Sequence, residues 1–212
     1  RASVMGANDG IISIAGIVIG VAAATSNARS ILIAGLSGTL AGMISMCMGE
    51  YVSVSTQKDS QKMALISEKQ RLQNQYEHEF DYVQKKYEAQ DIDPQLAKQA
   101  TKELMEKDAL GTAVQERYGF NPNEFTSPYA AAIASFLSFP TGSILPMVAV
   151  TVSPANVRIL ATAIAVLIAL LITGYFAAVL GKSNRIKSMI RNAAAGLLTM
   201  GVTYLIGQLF AR

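Results

Sequence analysis

Tryptophan is absent from the 212 residues, cysteine and histidine occur once each, and only 16% of the chain is charged. Each shortage removes a class of answer. Cys47 alone cannot form an intramolecular disulfide, and there is no C-x-x-C pair to hold zinc or exchange thiols. His78 alone leaves no Ser-His-acid set and no second histidine to share a metal, and no glycine loop of the phosphate-cradling kind occurs. Nothing here calls for catalysis or a catalytic cofactor. A soluble domain carries roughly 25% charged residues; this chain carries fewer, with 51% hydrophobic residues and a mean hydropathy of +0.31. Without tryptophan, any aromatic belt at a membrane interface must be built from tyrosine.

The charges that do occur are concentrated. Of 15 acidic residues, 13 lie between Asp59 and Glu124, leaving only Asp9 and Glu50 outside; ten of the 18 basic residues fall between Lys58 and Arg117. The net +3 is the sum of a −3 middle segment and a +6 remainder that sits beside apolar runs. That placement argues for contact with membrane lipid and against nucleic acid. The first residue is Arg1 and no cleavable signal is evident, so the expectation is that a native N-terminal tail is missing.

A spanning helix needs about 20 mostly apolar residues, and five stretches qualify: Val4 to Thr25, Ile31 to about Ser53, a run between Glu124 and Arg158, Ile159 to Leu180, and Asn192 to Phe210. Ser153-Pro154 marks the turn after the third. The loop carrying Lys182, Arg185, Lys187 and Arg191 faces only Arg29, Arg158 and Arg212 on the other side. The excess of base places that loop in the cytoplasm, and with it the N-terminus and the middle domain. The expected fold is an all-α membrane protein of five transmembrane helices with a three-helix cytoplasmic insertion between helices 2 and 3. Residues 1–55 then hold the first two spans, 56–123 the insertion and 124–212 the last three.

No Gly or Pro interrupts Glu50 to Ile92, so the insertion's first helix should continue span two, with Leu72, Tyr76, Phe80, Val83 and Tyr87 as its apolar face. Asp93-Pro94 should cap a second helix that buries Leu96, Ala100 and Leu104, and Gly119 should end a short third one. So small a domain buries little surface by itself and should pack against a second copy or the membrane face. Its many acids, among them Glu68, Glu77, Glu79, Asp81 and Glu116, read as a solvated helix surface, and His78 as a surface residue.

Two carboxylates inside apolar spans carry the functional argument, because an ionised group there is costly and marks an ion or proton path. Asp9 sits in Gly6-Ala7-Asn8-Asp9-Gly10, where the glycines could loosen the helix and present backbone carbonyls. Glu50 shares a helical stripe with Met43, Met46 and Cys47. Soft sulfur beside a hard carboxylate suits a borderline transition metal better than an alkali ion. Plainer readings make Asp9 a cap on the first helix, Glu50 an interfacial marker and each methionine a packing residue. Gly35, Gly38, Gly42, Gly196, Gly201 and Gly207 fit close helix packing.

Gly6-Ala7-Asn8-Asp9-Gly10, Ser45-Met46-Cys47-Met48-Gly49-Glu50-Tyr51-Val52-Ser53-Val54, Phe139-Pro140-Thr141-Gly142-Ser143-Ile144-Leu145-Pro146 and Gly201-Val202-Thr203-Tyr204-Leu205-Ile206-Gly207 together resemble the vacuolar iron transporter family, in order and over essentially the whole chain. The resemblance implies a homodimer in a vacuolar or bacterial plasma membrane that exports Fe2+, or Mn2+ or Co2+, from the cytoplasm in exchange for protons. It implies a path lined by Asp9 and Met46 with Glu50 at its cytoplasmic mouth, to which the motif and the stripe add Asn8 and Met43. Asp9, Met46 and Glu50 are then the expected metal ligands, with Glu68 and Glu79 as residual ligands in the insertion. In the insertion the chain departs from the family pattern. Paired glutamates are replaced by Glu68 with Arg71 and Glu79 with Tyr82, and two methionines and a glutamate by Ala113, Val114 and Arg117, with Glu116 one position off. Arg at a ligand position repels a cation, which leaves dimerisation and gating as the insertion's expected role. The competing reading is a membrane-anchored structural or metal-sensing protein whose middle domain binds a partner.

Overall fold

The computed structural model describes residues 2–211; Arg1 and Arg212, counted above among the basic residues, lie outside the described residues. Among those described there are seven helices and no strand: α1 (Ala2–Ala24), α2 (Ala28–Asn74), α3 (Tyr76–Glu88), α4 (Pro94–Tyr118), α5 (Pro128–Val152), α6 (Arg158–Leu180) and α7 (Arg185–Leu209). Five of them, α1, α2, α5, α6 and α7, are long and apolar enough to cross a membrane. The chain forms two compact units, one of residues through Tyr51 with those from Tyr129 onward, the other Val52–Pro128.

In the first unit α1 is buried on two sides. Ile11, Ala15 and Ile19 pack with Val166, Ala169 and Leu170 of α6 and Met200 of α7. Ile14 and Val18, three residues further round the helix, pack with Ile31 of α2 and Phe139 and Val150 of α5. A helix apolar all round belongs in the interior, and α1 takes that place. Lipid offers no hydrophobic drive for helix association, so contact depends on close fit through small residues. A Cβ on Gly10 would lie 2.1 Å from the Phe139 carbonyl oxygen, and one on Gly142 2.0 Å from that of Ala7. The glycines around Asp9 therefore seat α1 against α5, and α1 stays helical from Ala2 to Ala24. The expected loosening does not occur, because those glycines are used for contact. Nor does Asp9 cap the helix, which begins seven residues earlier. Gly201 was expected to pack as well, yet a Cβ there would meet nothing within 4 Å. α7 starts at Arg185, before the apolar run, because the Asn184 side chain accepts from the Lys187 amide at 3.0 Å and caps it. Lys187 and Arg191 are thus helical and not part of a loop.

The second unit departs from the expected continuous helix. Gln75, at φ −145° and ψ 48°, separates α2 from α3. Tyr76 is exposed while Glu79 and Val83 are the buried residues of α3. α4 begins as its sequence predicts: Asp93 accepts from the amides of Gln95 and Leu96, Pro94 occupies the first turn and Gly119 closes the helix at φ 73°. Asp108 interrupts it with an extended backbone, and its carboxylate accepts from the Gly111 amide at 2.8 Å, capping the segment that follows. The buried face of α4 is Ala97, Thr101 and Met105, with Ala113 and Val114 beyond the interruption. Leu96 and Leu104, expected inside, are 59% and 43% exposed. The true stripe has the same spacing shifted by one residue. Thr101 disguises it, since its hydroxyl is satisfied by the Ala97 carbonyl at 2.8 Å and can be buried without loss.

Candidate functional site

In the first unit, α1, α2 and α5 leave between them a groove of about 490 Å³ lined by residues that include Asp9, Ser13, Ser45, Met46 and Phe139. The spacing of Asp9 and Ser13 puts both on one face of α1, and the Ser13 hydroxyl donates to Asp9 Oδ1 at 3.0 Å. From α2 come Met46 and Ser45, and the glycines Gly38 and Gly42 keep that wall low. Phe139, 2% exposed, closes the base. One carboxylate, two hydroxyls and one thioether thus share a single apolar-walled groove.

The remaining residues named for the path are placed elsewhere. Met43 packs against the Ile14, Val18 and Phe139 core. Asn8 accepts from the Thr173 hydroxyl of α6 at 3.3 Å. Glu50 is half-buried on α2, one turn beyond Met46 and outside the groove lining.

In the second unit two carboxylates converge. Glu68 of α2 is 0% exposed and Glu79 of α3 is 1% exposed, so neither belongs to the solvated surface expected for the acids of this segment. Arg117 of α4 lies between them. Its Nε is 3.2 Å from Glu68 Oε2, its terminal nitrogen donates to Glu79 Oε2, and its guanidinium carbon sits 3.8 Å from the centre of the Tyr82 ring. The contact to Glu68 is close in distance but has no aligned hydrogen bond, so Glu79 holds the stronger tie. Burial, then the neighbouring Glu79, push the Glu68 carboxyl above its usual range. Burial pushes Glu79 the same way, but the hydrogen bond from Arg117, the adjacent Glu68 and the Arg117 charge outweigh it and hold Glu79 low. Glu116 is drawn off to another cluster, accepting from the Tyr87 hydroxyl at 3.0 Å with Lys86 at 3.9 Å. His78 is on the surface, 3.6 Å from Glu79.

A family model described as the VIT family matches residues 1–208. The chain belongs to the VIT family. It is 34% identical over 210 residues to a vacuolar iron transporter of Acanthamoeba castellanii, covering 99% of this chain and 77% of that protein. Vacuolar iron transporter homolog 2.1 of Arabidopsis thaliana is 32% identical over 96% of this chain and 78% of its own length. Vacuolar iron transporter homolog 1 of rice is 34% identical over 99% and 73%. VIT members are transporters and not enzymes, which agrees with the missing catalytic sets.

Two features of this VIT chain escaped sequence reasoning. Ser13 stands four residues after Asp9, a spacing that could have identified it. The convergence of Glu68 and Glu79 could not be found that way. They are eleven residues apart, which on an unbroken helix is about 16 Å, and only the break at Gln75 brings both to one guanidinium.

Proposed function

We propose that this chain is a proton-coupled exporter of Fe2+, with Mn2+ and Co2+ as further substrates, working as a homodimer with the N-terminus and the 52–128 unit in the cytoplasm. The observation that carries the reading is the shared groove of Asp9 and Met46. It sets the only acidic residue of α1, exposed in the single chain, beside a half-buried soft thioether in an open groove with largely apolar walls. A hard oxygen and a soft sulfur together favour a borderline divalent ion. A carboxylate in such a place holds a proton or a metal in turn, so loading one releases the other and couples their movements. One carboxylate and one thioether are too few ligands for a transition metal. Met48, Ile44 and Leu40 leave an exposed apolar flank on α2 beside the groove, and a second copy packed there would double the donor set. Glu50 at the end of the same stripe serves as the cytoplasmic entry.

The test is Fe2+ flux into sealed proteoliposomes carrying a pH gradient. Wild type should give gradient-dependent flux, and Asp9→Asn, a near-isosteric change that keeps an acceptor for Ser13, should abolish it with the fold intact. Gradient-independent flux, or full flux from Asp9→Asn, would refute the mechanism. Absence of Fe2+, Mn2+ and Co2+ flux from well-folded wild type would favour the anchored structural or sensing protein instead.

A further inference from the structure

The resemblance places divalent metal in the 52–128 unit, and the donor set there does not fit it. Among the described residues no three His, Cys, Asp or Glu side chains converge on a point that could hold an ion. The two buried carboxylates that do converge have a guanidinium between them. We infer that Arg117 is the resident cation of this unit, filling the place between Glu68 and Glu79 and tying α2, α3 and α4 together without divalent metal.

Four observations carry this. Glu68 and Glu79 come from different helices and are both almost wholly buried, so they need a cation to be tolerated. Arg117 comes from a third helix and touches both. Its side chain is only 17% exposed and sits 3.8 Å over the ring of Tyr82, a residue that offers a π face in place of a carboxylate. The helix break at Gln75 brings the two acids within one guanidinium's span. A guanidinium suits this position better than an ammonium, because its planar fork can address two carboxylates and stack at once. The acids that a metal would need to complete its shell are engaged elsewhere, Glu116 with Tyr87 and Lys86. The three side chains therefore clamp α2, α3 and α4 together.

Hydrogen exchange of the full-length protein in detergent tests this, following the amides of α3 in EDTA and in saturating Mn2+. Wild type should show the same protection in both. Arg117→Met keeps the reach and removes the charge, and in EDTA it should lose protection about a hundredfold or more, as expected for stranding a buried charge. Protection of wild type that rises with Mn2+, with the rise lost in Glu68→Gln, would overturn the inference. So would Arg117→Met as well protected in EDTA as wild type. Should that variant fail to fold, the wild-type comparison decides by itself. The readout is confined to the 52–128 unit and uses no flux, so its failure is distinguishable from failure of the transport reading.

Discussion

Replacing Glu79 by glutamine should cost the 52–128 unit far more than the same change at Glu68. Both are buried glutamates beside one guanidinium, so a count of contacts would rank them equal. The geometry does not. Glu79 accepts a charge-assisted hydrogen bond from Arg117, whereas the Glu68 contact at 3.2 Å is not aligned for one. Breaking a buried ion pair costs about 3–5 kcal/mol. For Glu79→Gln the low end applies, about 3 kcal/mol, because Glu68 stays within 3.2 Å of Arg117 and leaves it a carboxylate neighbour. For Glu68→Gln the loss is an unaligned contact, and Glu79 keeps its hydrogen bond from Arg117. The net change is about 1 kcal/mol or less. At 1.36 kcal/mol per decade, exchange of the α3 amides should accelerate roughly a hundredfold in Glu79→Gln and less than about tenfold in Glu68→Gln. Equal losses, or a larger loss at Glu68, would refute the reasoning.

The same pair sets a pH dependence of definite sign. Glu68 is raised in the folded unit, so its contribution to stability is complete below the ordinary carboxylate range and is lost as pH rises through its folded value. Glu79 is lowered, so its contribution is present above that range and is lost as pH falls through its folded value. Wild-type protection, corrected for intrinsic exchange, should therefore decline on the alkaline side of the ordinary carboxylate range. Glu68→Gln should flatten that limb and leave the acid limb unchanged.

Two further outcomes bear on the first unit. Gly142→Ala puts a Cβ 2.0 Å from the Ala7 carbonyl and should destabilise that unit by about 1–3 kcal/mol. A lowered thermal midpoint in detergent would show it, while Gly201→Ala, which meets nothing within 4 Å, should leave the midpoint unchanged. Met46→Leu keeps the volume and removes the sulfur, so in competition flux it should reduce Fe2+ and Co2+ relative to Mn2+, the harder ion. An unchanged ratio would remove Met46 from the ligand set.

How much the sequence revealed depended on the kind of signal. The five apolar helices were legible because length and hydropathy act locally, and Asp93-Pro94 and Gly119 announced the ends of α4 through backbone rules that need no tertiary partner. Leu96 and Leu104 misled for the opposite reason. A helix chooses its buried face by what it packs against, and α4 buries the side that carries Ala97, Thr101 and Met105. The glycines beside Asp9 were visible, but their use was not. Close approach of α5 at Gly10 and Gly142 holds α1 helical where the sequence alone equally allows it to unwind.

Arg117 shows where single-residue logic reverses. Read along the chain, an arginine at a ligand position is a loss, since it repels the ion that the position would hold. Placed in the fold, its charge stands where that ion's charge would stand, between two buried acids, both of which it touches. On the inference above, the arginine takes the place that the resemblance gives to a metal and ties the three helices in its stead. Arg117 and Tyr82 belong together on this account, because the aromatic face is what lets a flat cation lie where a third carboxylate would otherwise be needed. Restoring an acid at position 82 alone would give Arg117 a third anionic neighbour. Changing Arg117 alone would strand two buried carboxylates. Building a metal-holding unit here would thus require both positions to change, and either change made first passes through a charge imbalance beside two buried acids.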